Sequence, residues 1–180
     1  SKFQLYKDLD LKKMIQNPPK IVDNDIPTLV IMIGPQGAGK STLSKILNKR
    51  GYNVLNRDSL KSSSKLFKEF KRLTKIGQSI VIDNINYAKS DRQKYFDELP
   101  KEYTTVCYYF DIPKIFSVHL CHMRVQQGGS YIPPVARHTY YKRLEVPTQD
   151  EFDELHIISG LPRWSDIPEE YYHSYNLISR

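Results

Sequence analysis

An α/β fold, with a mostly parallel central sheet flanked by helices, is what this sequence predicts, on three observations. Leu29-Val-Ile-Met-Ile33 is a run of five apolar residues, which reads as a strand buried on both faces. Directly after it stands G-x-x-x-x-G-K-S, Gly34 to Ser41, and then Leu43, Ile46 and Leu47 at helical spacing. Further short apolar runs follow, separated by helix-length segments. Joined by right-handed crossovers, such units stack into one parallel layer.

The elements follow in order. Residues 1–27 carry Asn17-Pro18-Pro19 and Asp23-Asn-Asp-Ile-Pro27, turn signals that mark a lead-in or linker ahead of a main domain at 28–180. Within it, Leu9, Leu11, Met14 and Ile15 are spaced for a short helix packed on the body. Gly51 stops the first helix, and Tyr52 to Asn56 reads as a second strand that ends at Arg57-Asp58. Lys61 to Lys75 reads as a helix, with Leu66, Phe70 and Leu73 on one stripe and Lys61, Lys65, Lys68 and Arg72 on another. Gly77 leads into a third strand, Ser79 to Asp83, and Ser90 is placed to cap a helix that runs to Leu99. Thr104 to Phe110 is a fourth strand, closed by Asp111. Pro113 opens a helix to Gln127 with Ile115, Val118, Cys121 and Val125 on one face, and Gly128-Gly129 ends it. Pro133-Pro134 starts another, which carries Arg137, Tyr140, Tyr141, Lys142 and Arg143, and Leu155 to Ser159 reads as a last strand. Trp164, Tyr171, Tyr172 and Tyr175 should pack on the body, since that much aromatic surface is costly to leave in water.

Composition narrows the classes. Hydrophobic residues make up 39% of the 180, which is globular and not disordered. Lys and Arg outnumber Asp and Glu by 27 to 20, a net +7 that suits either an anionic partner larger than a nucleotide or simple solubility. Two cysteines, Cys107 and Cys121, supply no disulfide framework or zinc site and fit a reducing compartment, with Cys107 in a buried strand. No signal-peptide core is present, and no apolar run nears the about 20 residues of a membrane span. An intracellular, soluble protein follows, with nucleus or cytoplasm left open. The absence of an initiator Met hints at a processed or excised chain.

Strand, glycine-rich turn and helix form a phosphate site. Gly34, Gly37 and Gly39 let the backbone curl so that successive N–H groups point at polyphosphate oxygens, with Pro35, Gln36 and Ala38 completing the loop. The helix start adds its positive end, where Thr42 also lies. Lys40 reaches the β and γ phosphates, and the Ser41 hydroxyl can hold Mg²⁺. Asp83, after a buried strand, stands where a Walker-B acid supports the same ion. Parallel sheets bind ligands beyond their strands' carboxyl ends, so Asp58 should project toward the phosphates. It can take the proton of an acceptor alcohol, or it can simply cap a helix over Ser59 to Lys75.

Taken together, Gly34-Pro-Gln-Gly-Ala-Gly-Lys-Ser41, Asn56-Arg57-Asp58-Ser59, Val81-Ile82-Asp83-Asn84-Ile85-Asn86 and Arg124 resemble the kinase domain of the 5′-polynucleotide kinases. These are the phage end-healing enzymes and the animal DNA-repair kinase/phosphatases. The similarity runs from about Leu29 to Leu161. It implies a P-loop kinase fold with a helical lid, and transfer of the ATP γ-phosphate to a 5′-hydroxyl of DNA or RNA. Asp58 matches the family's general base, with Lys40 and Arg124 as the other catalytic residues. Arg57, Lys61 and Asn86 fall on substrate-binding positions, and Asp83 with Ser41 on the Mg²⁺ side. Arg124 matches a lid arginine that clamps the nucleotide phosphates.

This sequence departs from the family at the second lid arginine, which is absent from Val125 to Gly129 or replaced by Arg137. The phosphatase signature of that family, D-x-D followed by Gly and Thr, is missing, so 3′-phosphatase activity is not expected, and a fused or partner end-processing domain stays open. His119, His122, His138, His156 and His173 lack metal spacing and read as structural. Two other functions compete: a small-molecule P-loop kinase acting on a nucleoside or sugar, and a non-catalytic or ATPase nucleic-acid-binding module.

Overall fold

Strands and helices alternate along residues 10–174, which are the residues that the computed structural model describes. A short β1 (Ile15–Gln16) pairs in parallel with β7 (Leu161–Pro162) as a separate two-stranded ribbon. The main sheet is built from β2 (Thr28–Ile33), β3 (Asn53–Leu55), β4 (Ile80–Ile82), β5 (Thr104–Phe110) and β6 (Glu154–Ile158). Its order is β3-β4-β2-β5-β6 and every pair is parallel, so the sheet is wholly parallel over its described strands. β2 and β4 are buried at every residue and fill the interior, whereas β3 and β6 keep half-exposed positions and take the edges.

Alternation along β2 divides the core. Val30 and Met32 face α1 (Lys40–Lys49), contributing to a cluster with Leu43, Leu47, Tyr108 and Phe116. Leu29, Ile31 and Ile33 face the other way, toward Leu66, Phe70 and Tyr95. Those residues lie on α3 (Ser63–Lys75) and α4 (Lys89–Asp97). A helical face with α5 (Lys114–Gln126) and α6 (Pro134–Arg143) follows β5, and α7 (Glu169–Ser174) closes the chain's described part, with Trp164 and Tyr172 buried. Pro134 takes the first helical position of α6, with Pro133 as its N-cap.

Residues 10–27 lie against the body. The Tyr108 hydroxyl donates to Lys20 O at 2.7 Å and accepts from Val22 N at 3.1 Å, and the Tyr52 hydroxyl donates to Asp23 O at 2.9 Å. Where a short helix was expected, a 3₁₀ turn spans Leu11–Met14 and Ile15 belongs to β1, because the ribbon with β7 offers that backbone a partner. Leu9 and Tyr175 lie outside the described residues.

Other boundaries move for local reasons. The basic segment is not one helix from Lys61, since α2 (Arg57–Leu60) ends at Lys61 in a left-handed conformation (φ 73°) and α3 restarts behind its own cap, Ser62. Ser90 sits inside α4, whose cap position is Ala88, and the helix ends at Asp97 instead of Leu99. α5 buries Phe116, His119, Leu120, Cys121 and Met123, leaving Val125 outside at 39% exposure.

Phe70, fully enclosed and edge-on to Tyr95 at 5.0 Å, should cost about 3–5 kcal/mol as Phe70→Ala, measured by urea unfolding. Ser90→Ala should stay within about 0.5 kcal/mol, because the exposed hydroxyl caps nothing.

Candidate functional site

The chain leaves β2 at Gly34 under tight contact. A Cβ there would lie 2.8 Å from Phe110 Cβ, and the Gly34 N–H donates to Ile85 O at 3.3 Å. Gly37 is left-handed at φ 82°, and a Cβ on it would meet Cys121 Sγ at 2.7 Å. The same Sγ donates to Gln36 O at 3.4 Å, so α5 forms the floor of the loop. Gly39 occupies the cap position of α1 and provides no side-chain cap, which leaves the first-turn N–H groups facing the loop mouth. Pro35 and Ala38 are buried, Gln36 and Ser41 exposed, and Thr42 half-buried.

Lys40 and Asp83 attract each other behind this loop. Lys40 is 8% exposed, and its Nζ donates to Gly34 O at 2.6 Å. Burial pulls the ammonium down to about 8, against the attraction of Asp83. Burial also pushes the Asp83 carboxyl up, while Lys40 pulls it back. The attraction between them offsets part of the burial cost of each charge, and a hydrogen bond with Ser44 adds to the support of Asp83.

Two asparagines brace the neighbouring rim. Asn56 caps α2, accepting from Asp58 N at 2.8 Å and Ser59 N at 3.3 Å, while its own amide donates to Asp83 O at 2.7 Å. Arg57 N donates to Asn84 Oδ1 at 3.0 Å. The end of β3 is thereby fastened to the residues that follow β4. Asp58 lies one residue into α2, exposed, at the same carboxyl-end rim as the glycine loop. It is not a cap: Asn56 caps α2 and Ser62 caps α3.

The remaining expected residues divide. Arg57 and Lys61 are exposed beside Asp58. Asn86 is buried at φ 52°, and its amide donates to Met32 O at 2.8 Å and Ile82 O at 3.3 Å, so that group ties strand ends together. Arg124 is exposed in the last turn of α5, and its carbonyl accepts from Gly129 N at 2.8 Å. Arg137 is buried on α6, with no partner for its Nε among the described residues. Asn56 and Asn84 were legible only as motif letters; the signal for Asn56 was its position as a polar cap residue ahead of a helix.

Among the described residues no three His, Cys, Asp or Glu side chains gather as a metal site. Ser41 and Asp83 are the oxygen-bearing side chains that could hold a hard divalent cation such as Mg²⁺ here, with phosphates and water supplying the other oxygens. No described helix is long and apolar enough to cross a membrane.

Comparison with known proteins bears on the fold and the family. Residues 29–139 match the family model described as the AAA domain. A bifunctional polynucleotide phosphatase/kinase of Schizosaccharomyces pombe is 29% identical over 127 residues, 68% of this chain and 31% of that protein. A protein of Acanthamoeba polyphaga mimivirus, carrying a provisional form of the same name, is 30% identical over 139 residues, 73% and 33%. The chain thus spans about a third of the length of the curated relatives it matches. A chain of the Pnkp1/Rnl/Hen1 RNA repair complex superposes with TM-score 0.58 at 23% identity, over 80% of this chain and 50% of that one. A gluconokinase from Sinorhizobium meliloti 1021 gives 0.54 at 18%, over 84% and 93%. At these identities the structures share a P-loop kinase fold, and the fold alone does not choose an acceptor.

The charged form of Lys40 is the one that attracts phosphate. ATP affinity, followed by calorimetry, should therefore weaken as pH rises through about 8, and Lys40→Arg should lose that dependence. Stability should move the other way. The folded value lies below the unfolded 10.5, so between about 8 and 10.5 the unfolded chain holds more protons at this residue and the contribution of Lys40 to stability rises with pH.

Proposed function

The chain belongs to the AAA domain family, and from that premise and the geometry of its rim we propose that it moves the γ-phosphate of ATP to the 5′-hydroxyl end of a DNA or RNA strand. One observation carries the reading above all. Asp58 is an exposed carboxylate at the phosphate rim, not engaged as a helix cap, and held there through the Asn56 and Asn84 braces. An acceptor alcohol approaching the γ-phosphate needs such a group to receive its proton.

In this reading the glycine loop and the α1 N-terminus hold the triphosphate, and Lys40 swings from the Gly34 carbonyl to the β and γ oxygens. Mg²⁺, where bound, neutralises charge on the phosphates, with Ser41 and Asp83 as its protein ligands. Asp58 orients the 5′-hydroxyl in line and takes its proton as the new O–P bond forms and the bond to the β-phosphate oxygen breaks. Arg57 and Lys61, exposed on either side, meet the phosphates of the strand behind that terminus. Arg124 serves as the lid cation, and Arg137 as the second. The unpartnered Arg137 Nε supports the latter assignment, because a buried guanidinium calls for an anion. A strand also suits the net +7 and the run of exposed Lys61, Lys65, Lys68 and Lys75, which a nucleoside or sugar would not require. Repair or healing of strand ends is the setting such a reaction fits.

Transfer of labelled γ-phosphate to 5′-hydroxyl DNA and RNA oligonucleotides, beside free nucleosides and gluconate, tests this directly. Oligonucleotides should be labelled and the small acceptors should not; labelling of small acceptors alone would establish the competing kinase. Asp58→Ala should lower transfer by about 10²–10⁴-fold while ATP binding persists. A binding or ATPase module would instead keep its turnover in that variant. Strand affinity should fall steeply between low and moderate salt.

A further inference from the structure

We propose that Arg92, paired with Glu151, is a positioning residue for the phosphate site, acting through the loop from Asp83 to Tyr87. This rests on the phosphate-site reading but is indifferent to which acceptor is phosphorylated. Arg92 is completely enclosed on α4, and its guanidinium is fully engaged. Nε and Nη2 donate to the two Glu151 carboxylate oxygens at 2.8 and 3.1 Å. Nη1 donates to Asn86 O at 3.0 Å and Tyr87 O at 3.3 Å, and Nη2 to Glu145 O at 3.0 Å. Glu145 N in turn donates to Tyr87 O at 2.8 Å.

The loop so gripped touches the phosphate site at three points. It begins with Asp83, the carboxylate beside Lys40. Its Ile85 carbonyl receives the N–H of Gly34, the first glycine of the phosphate loop. Its Asn86 amide fastens to Met32 O, two residues before Gly34. Asn86 is held at φ 52°, a conformation that persists for a non-glycine residue only where surrounding contacts over-determine it. Arg92 supplies one of those contacts, Nη1 to Asn86 O, beside the bonds that the Asn86 amide makes to Met32 O and Ile82 O.

Stability alone is a poor reason for this arrangement. A buried ion pair roughly breaks even against apolar side chains of similar size, whereas losing one member strands a buried charge. An apolar pair could fill the space but could not donate to three backbone carbonyls at once. Lysine could keep the charge, but it lacks the planar fork that reaches a carboxylate and carbonyls together.

The test uses Arg92→Met/Glu151→Met, which removes both charges, and Arg92→Lys, which keeps the pair. ATP binding is measured for each by calorimetry, with Mg²⁺ and in EDTA, at a temperature where circular dichroism shows the chain folded. Positioning predicts at least a 10-fold loss of Mg²⁺-dependent affinity in whichever variant folds, larger than the loss in EDTA, because Asp83 is displaced. Wild-type affinity in a folded variant, or equal losses with and without Mg²⁺, would overturn it. Neither readout depends on transfer to a strand, so failure of the acceptor assignment leaves this result interpretable.

Discussion

Lys40 carries its charge where the surroundings oppose one. Enclosed beneath the glycine loop, it is kept by the Gly34 carbonyl at 2.6 Å and by Asp83, whose own ionisation burial also opposes. The pair is unfinished in a useful sense. Neither group is fully compensated by the other, which leaves Lys40 with attraction to spare for an anion at the loop mouth. The rest of the rim depends on that arrangement, because Asp83 can offset Lys40 only while β4 and β2 end at the same height.

Parallel topology supplies the height. With β3, β4 and β2 side by side in one direction, their carboxyl ends share a rim, and the loops leaving them are near enough to hydrogen-bond across. Asn56 reaches the Asp83 carbonyl, Asn84 receives Arg57 N, and Asn86 reaches Met32 O. Each brace is a short polar side chain that satisfies a backbone group left unpaired where a strand stops. The same atoms that terminate the sheet therefore set the separation between the phosphate loop and Asp58.

How much of this could be read beforehand follows from the range of each cause. The five strands of the main sheet and the glycine loop are local patterns, short apolar runs or eight spaced letters, and they stand where the sequence puts them to within a residue or two, whereas the β1–β7 ribbon, two residues a strand, leaves no such pattern. Breaks inside a helical pattern are less visible: nothing in Lys61 itself announces the left-handed turn that separates α2 from α3. Val125 falls on the apolar stripe of α5 yet stands outside its buried face, because periodicity marks a stripe and not how far along it burial extends. Arg92 and Glu151 were invisible for a stronger reason. They are 59 positions apart, and neither lies in a pattern that marks a charged residue as enclosed.

The contact at Gly160 bears on how small a piece of this chain can still fold. A Cβ there would stand 2.0 Å from Met14 O, so the ribbon of β1 and β7 is pressed against that backbone. Trimming the protein to begin at Thr28 would strip Leu161 and Pro162 of their partner strand. It would also leave the Tyr52 and Tyr108 hydroxyls without the carbonyls of Asp23 and Lys20. Residues 10–27 therefore act as part of the body's packing, supplying partners that the sheet and its helices lack by themselves.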